Sequence, residues 1–373
     1  MESAETLGLL AELKTYLSED APALSLPPAA FTSPELWELE RTRVFDRSWV
    51  LVAHADDLRE PGSYVALSIA GEPVVVTRDQ QGRLHALSPV CRHRLMPVVE
   101  TGSGIATSFT CPYHLWRYGL DGRLIAATFM KQNRDFDPAT CRLPSFAVEE
   151  WQGFVHVNLD AGAQPLAPHL ERIGADLANY RLDELVQVGS WVEEWNCNWK
   201  IAVENAHENY HVIGLHPETL QPTTPGGAET TVRSDTPWAN IMRVRYREPM
   251  EPGMLSLTDE ERAHLYAFFV FPSGSLAASG DMIVWLSLIP LTIDRTEVRG
   301  GVLMPAAMVE GGDRDTIRRE AEAYAVMINR EDQRGLEAVQ RGALSRFAER
   351  GHLSPQEPGV TVFYRNLAHA LLT

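Results

Sequence analysis

CRHRLMPVVETGSGIATSFTCPYH, residues Cys91 to His114, decides how the rest of the chain is read. Two short loops, C-x-H and C-x-x-H, stand 17 residues apart, and each offers one thiol and one imidazole. That is the ligand set of an iron–sulfur centre in which two histidines replace two cysteines on one iron. A Cys2His2 zinc site uses the same residue types, but its ligands usually come as C-x2-4-C and H-x3-5-H pairs, not as mixed pairs. Pro112, Gly119, Tyr113 and Trp116 suit tight loops folded over a partly buried inorganic centre.

On either side of these loops the pattern is one of short β runs broken by turns. Tyr64–Ala70, Pro73–Thr77 and Leu84–Leu87 read as strands separated by Gly71-Glu72 and Asp79–Gly82, and FVHVNL at Phe154–Leu159 alternates like a closing strand. His54, His85 and His156 lie within such runs and are expected to be structural. Cys141 and Cys197 are expected to be small buried hydrophobes, because four cysteines in 373 residues do not make a disulfide framework.

The Cys91–His114 stretch resembles the Rieske [2Fe–2S] motif, and the chain downstream of it resembles the terminal oxygenase (alpha) subunit of Rieske non-heme iron oxygenases. The resemblance implies an α+β chain. A Rieske β-barrel domain would occupy residues 46–160, a helix-grip catalytic domain residues 161–373, and N-terminal helices in 1–45 would pack on the latter. It also implies Cys91, His93, Cys111 and His114 as the cluster ligands.

A second constellation lies in NWKIAVENAHENYHVIGLHPETL, residues 198–220. Helical spacing would bring Glu208 and His211 onto one face. Gly214 would end the helix in a left-handed turn, and Pro217 would block its resumption, so that His216 meets His211. An H-x4-H pair is weak evidence alone. Roughly 100 residues after a Rieske motif, within N-W-K…E-N…H…H, it gains weight.

Oxygen-activating mononuclear iron is commonly held by two histidines and one carboxylate. The segment Asp313–Gly342 reads as one long helix with an apolar stripe of Ile317, Ala321, Tyr324, Ile328, Leu336 and Val339, and Asp332 falls within that stripe. A carboxylate facing the interior is costly unless paired or metal-bound. Glu331 projects about 80° from the stripe centre, a solvent position, and is the alternative third ligand. The segment from Asn329 to Gly342 also looks like the part of the family that carries this ligand.

By resemblance, Glu208 occupies the place of the acid that bridges a neighbouring subunit's Rieske histidine to the mononuclear site. Most members have aspartate there; glutamate resembles the carnitine and glycine betaine branch. The resemblance further implies electrons from NAD(P)H through a separate reductase, directly or by a ferredoxin, and a closed homotrimer. The chain has no G-x-G-x-x-G after a strand, so a nucleotide site belongs to the partner. The expected reaction is hydroxylation or oxidative demethylation of an N-methyl or quaternary amine. Tyr210, Trp238, Tyr246, Phe271, Trp285 and Tyr324 are candidates for the aromatic wall such a cation needs. Ring hydroxylation of an aromatic acid is the alternative, followed by a Rieske-type electron carrier and a structural zinc module.

Composition narrows the classes. Lys+Arg number 33 against 50 Asp+Glu, a net charge of −17, which disfavours nucleic acid and anionic membranes in a chain with no basic cluster. The N-terminus lacks the basic region and cleavage site of a signal peptide, and the longest apolar run, Met282–Ile293, is too short to span a bilayer. A cytoplasmic enzyme is expected.

Overall fold

The computed structural model describes residues 2–372. Two compact units divide the chain: one runs to Val50 and resumes at Leu166, and the other is Leu51–Pro165. The architecture is α+β.

The Leu51–Pro165 unit is built from short antiparallel strands. In chain order they are β1 (Val50–His54), β2 (Ser63–Ile69), β3 (Glu72–Arg78), β4 (Leu84–Leu87), β5 (Gly102–Ile105), β6 (Phe109–Thr110), β7 (Arg117–Tyr118), β8 (Leu124–Ala126), β9 (Ser145–Trp151) and β10 (Phe154–Asn158). Seven of them form one curled sheet in the order β1-β10-β9-β4-β3-β2-β5, and β6-β7-β8 form a small second sheet. Two connections matter for function: the link from β4 to β5 carries Cys91 and His93, and the β6–β7 hairpin carries Cys111 and His114. Beneath them, Val75, Leu87, Phe109, Trp116, Tyr118 and Leu143 form a core that also receives both cysteines.

Local polar chemistry fixes the turns. Asp79 Oδ1 accepts from the Gln81 and Arg83 backbone N–H groups at 2.9 Å each, and Oδ2 lies 2.9 Å from His85 Nε2. Burial alone would raise this carboxyl, but those hydrogen bonds hold it well below the usual carboxylate range. His85 thus pins the β3–β4 hairpin. His54 caps the turn that follows β1, its Nδ1 accepting from Asp56 N–H. Cys141 is half-buried, short of the full burial expected, because its loop lies at the rim of the core.

The larger unit holds a seven-stranded antiparallel sheet in the order β11-β17-β16-β15-β14-β13-β12. Its strands are β11 (Leu185–Trp195), β12 (Thr230–Thr236), β13 (Ala239–Arg245), β14 (His264–Val270), β15 (Gly274–Ser279), β16 (Met282–Thr292) and β17 (Arg295–Pro305). The first of them, β11, ends at Trp195. The chain must turn there, because Asn198 caps a helix, its side chain accepting from Lys200 N–H at 3.0 Å.

The long helix Arg314–Ala343 lies along the free edge of β11. Glu322 and Glu337 accept from the backbone N–H groups of Ser190 and Asn196, and Gln333 donates to the Glu194 carbonyl, so helix side chains satisfy an otherwise open sheet edge. The approach is tight enough to require Gly189, since a Cβ there would collide with the Glu322 side chain.

The helix's buried stripe is Ala325, Asn329, Asp332, Leu336 and Gln340. It includes Leu336 but not Tyr324 or Val339, which are exposed, so the stripe is more polar than expected. The first helix, Ala4–Lys14, buries Thr6, Leu9, Leu10 and Leu13 and leaves Leu7 exposed, and just beyond it the Tyr16 ring meets that of Tyr364, on the C-terminal helix Pro358–Leu372, edge to face at 5.0 Å.

A buried ion pair ties the N-terminal segment to the sheet unit. Lys200 and Glu40, each 1% exposed, meet at 2.6 Å, and Trp199 Nε1–H donates to the second Glu40 oxygen at 2.9 Å. Removing one member strands a charge in the interior. Lys200→Met or Glu40→Gln alone should therefore cost roughly 3–5 kcal/mol by denaturant midpoint, and the double substitution less than the sum of the two. Additive losses would show that the pair is not coupled.

Candidate metal centres

The two Cys/His loops are near copies of one turn. In the first, Leu95 N–H donates to Cys91 O and Cys91 N–H to Met96 O, at 3.1 and 3.0 Å; in the second, Leu115 N–H donates to Cys111 O and Cys111 N–H to Trp116 O, at 3.0 and 2.8 Å. Each turn places a leucine at φ 60°, a left-handed conformation that costs a branched residue energy and that clusters at functional sites. Both thiols are buried while the imidazoles reach the tip, where His93 Nδ1 and His114 Nδ1 stand 3.1 Å apart.

Aromatic packing holds the rings: His93 stacks on Trp116 at 4.9 Å and His114 on Tyr113 at 3.8 Å. Tyr118 Oη accepts from Arg92 N–H and lies 3.3 Å from Cys91 Sγ, within hydrogen-bond reach of the sulfur. Lost hydration, then the facing His93 and Arg94, hold the His114 imidazole below its ordinary value. Two sulfurs inside and two Nδ1 atoms at the tip fit an iron–sulfur centre with unlike irons.

The second site forms where the helix Trp199–Ala206 stops short of its expected length. His207 caps it: its Nδ1 donates to Val203 O at 2.8 Å, and its ring stacks on Phe269 at 3.8 Å. Glu208 and His211 are consequently not on one helical face. Instead the chain folds back, and Glu208 accepts from His211 N–H with Oε2 at 3.0 Å and from its Nδ1–H with Oε1 at 2.7 Å. Gly214 lies within the short helix Val212–Leu215 and takes no left-handed turn; His216 is the residue that ends that helix.

His216 is fully buried, with Nδ1 2.7 Å from Glu331 Oε2 and Nε2 2.9 Å from Asp332 Oδ1. His211 Nε2 is 3.6 Å from the same Asp332 oxygen. Thr219 Oγ1 donates to Glu331 at 2.6 Å, and Asn205 Nδ2 donates to Asp332 Oδ1 at 3.1 Å. Burial pulls the His216 imidazole down, but the Asp332 and Glu331 carboxylates outweigh it and raise its pKa. Glu331, likewise, is held below the carboxylate range despite its burial, by Thr219 and His216.

One ligand atom each from His211, His216 and Asp332 lies within 4.8 Å of the others. Carboxylates behind both imidazoles, each accepting from Nδ1–H, are the usual means of aiming a metal-binding nitrogen. This donor set fits a divalent ion such as ferrous iron. Glu331 is thus not the solvent-facing residue that helical projection suggested. Its role was invisible in sequence because it depends on His216, 115 residues away.

The site opens on a cavity of about 160 Å3, whose wall includes Trp195, Ala206, Met242, Leu265, Phe269 and Leu286. None of the six aromatic residues proposed from sequence contributes to this wall. Trp285, for example, donates instead to Gln187 on β11.

Residues 182–373 match the family described as ring hydroxylating alpha subunit (catalytic domain), and residues 48–147 match the Rieske [2Fe-2S] domain. The chain belongs to the ring-hydroxylating alpha-subunit family. It is 30% identical to the glycine betaine monooxygenase oxygenase subunit of Chromohalobacter salexigens, over 88% of this chain and 83% of that one. Identity to the chloroplastic choline monooxygenase of Beta vulgaris is 27%, over 92% and 76%. In fold it is similar to the quaternary ammonium Rieske monooxygenase CntA in complex with L-carnitine, with a TM-score of 0.77 at 24% identity over 95% and 97% of the two chains.

Like other members, this alpha subunit is an oxidoreductase, the oxygenase subunit of a Rieske-type system, and an oxygenase subunit implies a reductase partner. Among the described residues no helix is long and apolar enough to cross a membrane.

Two histidines are kept neutral by burial. His207 beside the second site and His156 on β10 are both pushed down to about 4, with one backbone hydrogen bond each as partial offset. Because the folded value is the lower one, the unfolded chain binds more protons between about pH 6.5 and 4, and stability falls as pH drops through that window. His207→Gln should remove part of this slope. The wild type should lose roughly 1–3 kcal/mol more than the variant between pH 7 and pH 4.5, read from denaturation midpoints; equal losses would show that His207 is not the titrating group.

Proposed function

We propose that this chain is the terminal oxygenase of a system that hydroxylates or oxidatively demethylates an N-methyl or quaternary amine. The convergence of His211, His216 and Asp332 on one point beside an apolar cavity carries this reading. In it, Cys91, His93, Cys111 and His114 hold a Rieske cluster, and His211, His216 and Asp332 hold a mononuclear ferrous ion. When bound, these centres supply stored electrons and dioxygen activation. The overall reaction inserts one oxygen atom into a methyl C–H bond and reduces the other to water, with two electrons and one proton drawn from NAD(P)H through the reductase and the second proton from solvent.

The chain's own residues prepare that chemistry. Glu208 and Glu331 fix the two imidazoles so that each Nε2 faces Asp332, and Asn205 holds the Asp332 carboxylate in turn. Met242, Leu265 and Leu286 keep water from the reacting methyl group. Glu208 is also the acid that links His211 to a cluster histidine of a neighbouring copy in a homotrimer.

Anaerobic metal analysis tests the ligand sets. About three irons and two labile sulfides per chain are expected, falling to about two irons with sulfide unchanged in Asp332→Ala. Zinc without sulfide would sink the cluster. Glu331→Gln should weaken ferrous binding about 10–100-fold while the cluster spectrum stays intact. With a reductase supplied, oxygen uptake should respond to methylated amines; a response to aromatic acids alone would replace the amine reading with ring hydroxylation.

A further inference from the structure

The cavity wall is one-sided in charge. Its ionisable members are Glu208, Asp332, His211 and His216, and among the described residues the wall contains no Arg or Lys. The polar remainder is amide, hydroxyl and one indole N–H, from Asn205, Asn209, Asn329, Ser275 and Trp195, none of them a cation. Part of that donor capacity is already committed, since Asn209 Nδ2 donates to the Thr224 and Pro225 carbonyls and Asn205 Nδ2 to Asp332. The guanidinium that acts on Glu331, that of Arg334, belongs to an exposed residue outside the wall.

A divalent ion between His211, His216 and Asp332 does not reverse this balance. Three carboxylates, Asp332, Glu208 and Glu331, surround that point and outweigh one such ion by a single negative charge. A carboxylate entering the cavity would lose its hydration and meet no cation of the protein. An ammonium group would find the opposite, with Trp195 and Phe269 as aromatic members of the same wall. The volume, about 160 Å3, is below the roughly 300–1,000 Å3 usual for drug-sized ligands and suits a molecule of a few heavy atoms.

Resting on the amine reading, we infer that the substrate is a small ammonium compound without a carboxylate, and that the cavity rejects betaine-type zwitterions. The preference thus separates this chain from relatives named for glycine betaine and carnitine, both of which carry a carboxylate. Specificity here is achieved by leaving the wrong ligand's charge unpaired.

Equilibrium dialysis of the fully loaded holoenzyme under anaerobic conditions tests this with three probes of one shape. Choline, glycine betaine and 3,3-dimethyl-1-butanol present a cation, a zwitterion and a neutral isostere. Choline should bind at least about tenfold more tightly than either of the others. Glycine betaine binding as well as choline overturns the inference, and so does equal binding of the neutral isostere. Benzoate binding with no ammonium compound bound would instead defeat the amine reading on which it rests. Leu286→Arg, on β16 at the half-buried side of the wall, should shift the ratio toward glycine betaine by about tenfold or more; a folded variant with an unchanged ratio counts against the charge argument.

Discussion

A carboxylate and two imidazoles brought together inside a protein lose hydration that nothing apolar replaces, and a shared cation or shared protons make the arrangement tolerable. Asp332 sets this constraint. It sits on the buried stripe of the long helix, 2.9 Å from one imidazole nitrogen and 3.6 Å from another. Much of the larger unit can be understood as the scaffolding that keeps it there. The helix is pinned to β11 by Glu322, Gln333 and Glu337, and Gly189 permits the close approach. Gln340, one turn from the helix end, accepts from Asn198 N–H at 2.8 Å and so fixes the start of the helix that leads to Glu208. The metal-binding edge and the sheet edge are therefore stabilised by the same row of side chains.

Legibility in the sequence followed the range of the interactions involved. The Cys/His loops could be read because all of their determinants are local: ligand spacing, a tight turn and an aromatic neighbour. The pairing of His211 with His216 was equally local. What could not be read was the break after Ala206. Nothing in WKIAVENAHENYH ends a helix by propensity, and the stop comes from His207 turning inward onto Phe269, a contact made by a strand 62 residues later. Glu331 was misplaced for a related reason. Helical projection assumes that the buried stripe is apolar, whereas this stripe contains Asn329, Asp332 and Gln340 because a polar edge strand and the His211–His216 pair lie beneath it.

The two leucines at φ 60° show the same economy in the smaller unit. A glycine would adopt that conformation without strain, yet Leu95 and Leu115 occupy it and leave their side chains 79% and 61% exposed beside His93 and His114. Apolar side chains in such a position give a surface around the imidazole tip that water solvates poorly. In the proposed trimer, that rim is the part of the unit a neighbouring copy would cover.

Burial of the cysteines and exposure of the histidines would give a cluster held there a direction. The thiol side is closed by Val75, Leu87 and Tyr118, so an electron leaving through it would have to traverse packed side chains. The imidazole side ends in two rings, one stacked on Trp116 and one on Tyr113, within reach of whatever covers the tip. In the proposed trimer, Glu208 would offer the matching half of such a path. Both of its oxygens hold His211, and its place in the short break between two helices, instead of in mid-helix, gives the carboxylate a fixed position on the backbone side of that imidazole. The helix break after Ala206 is thus what lets one acid hold the His211 imidazole through both its backbone N–H and its Nδ1–H.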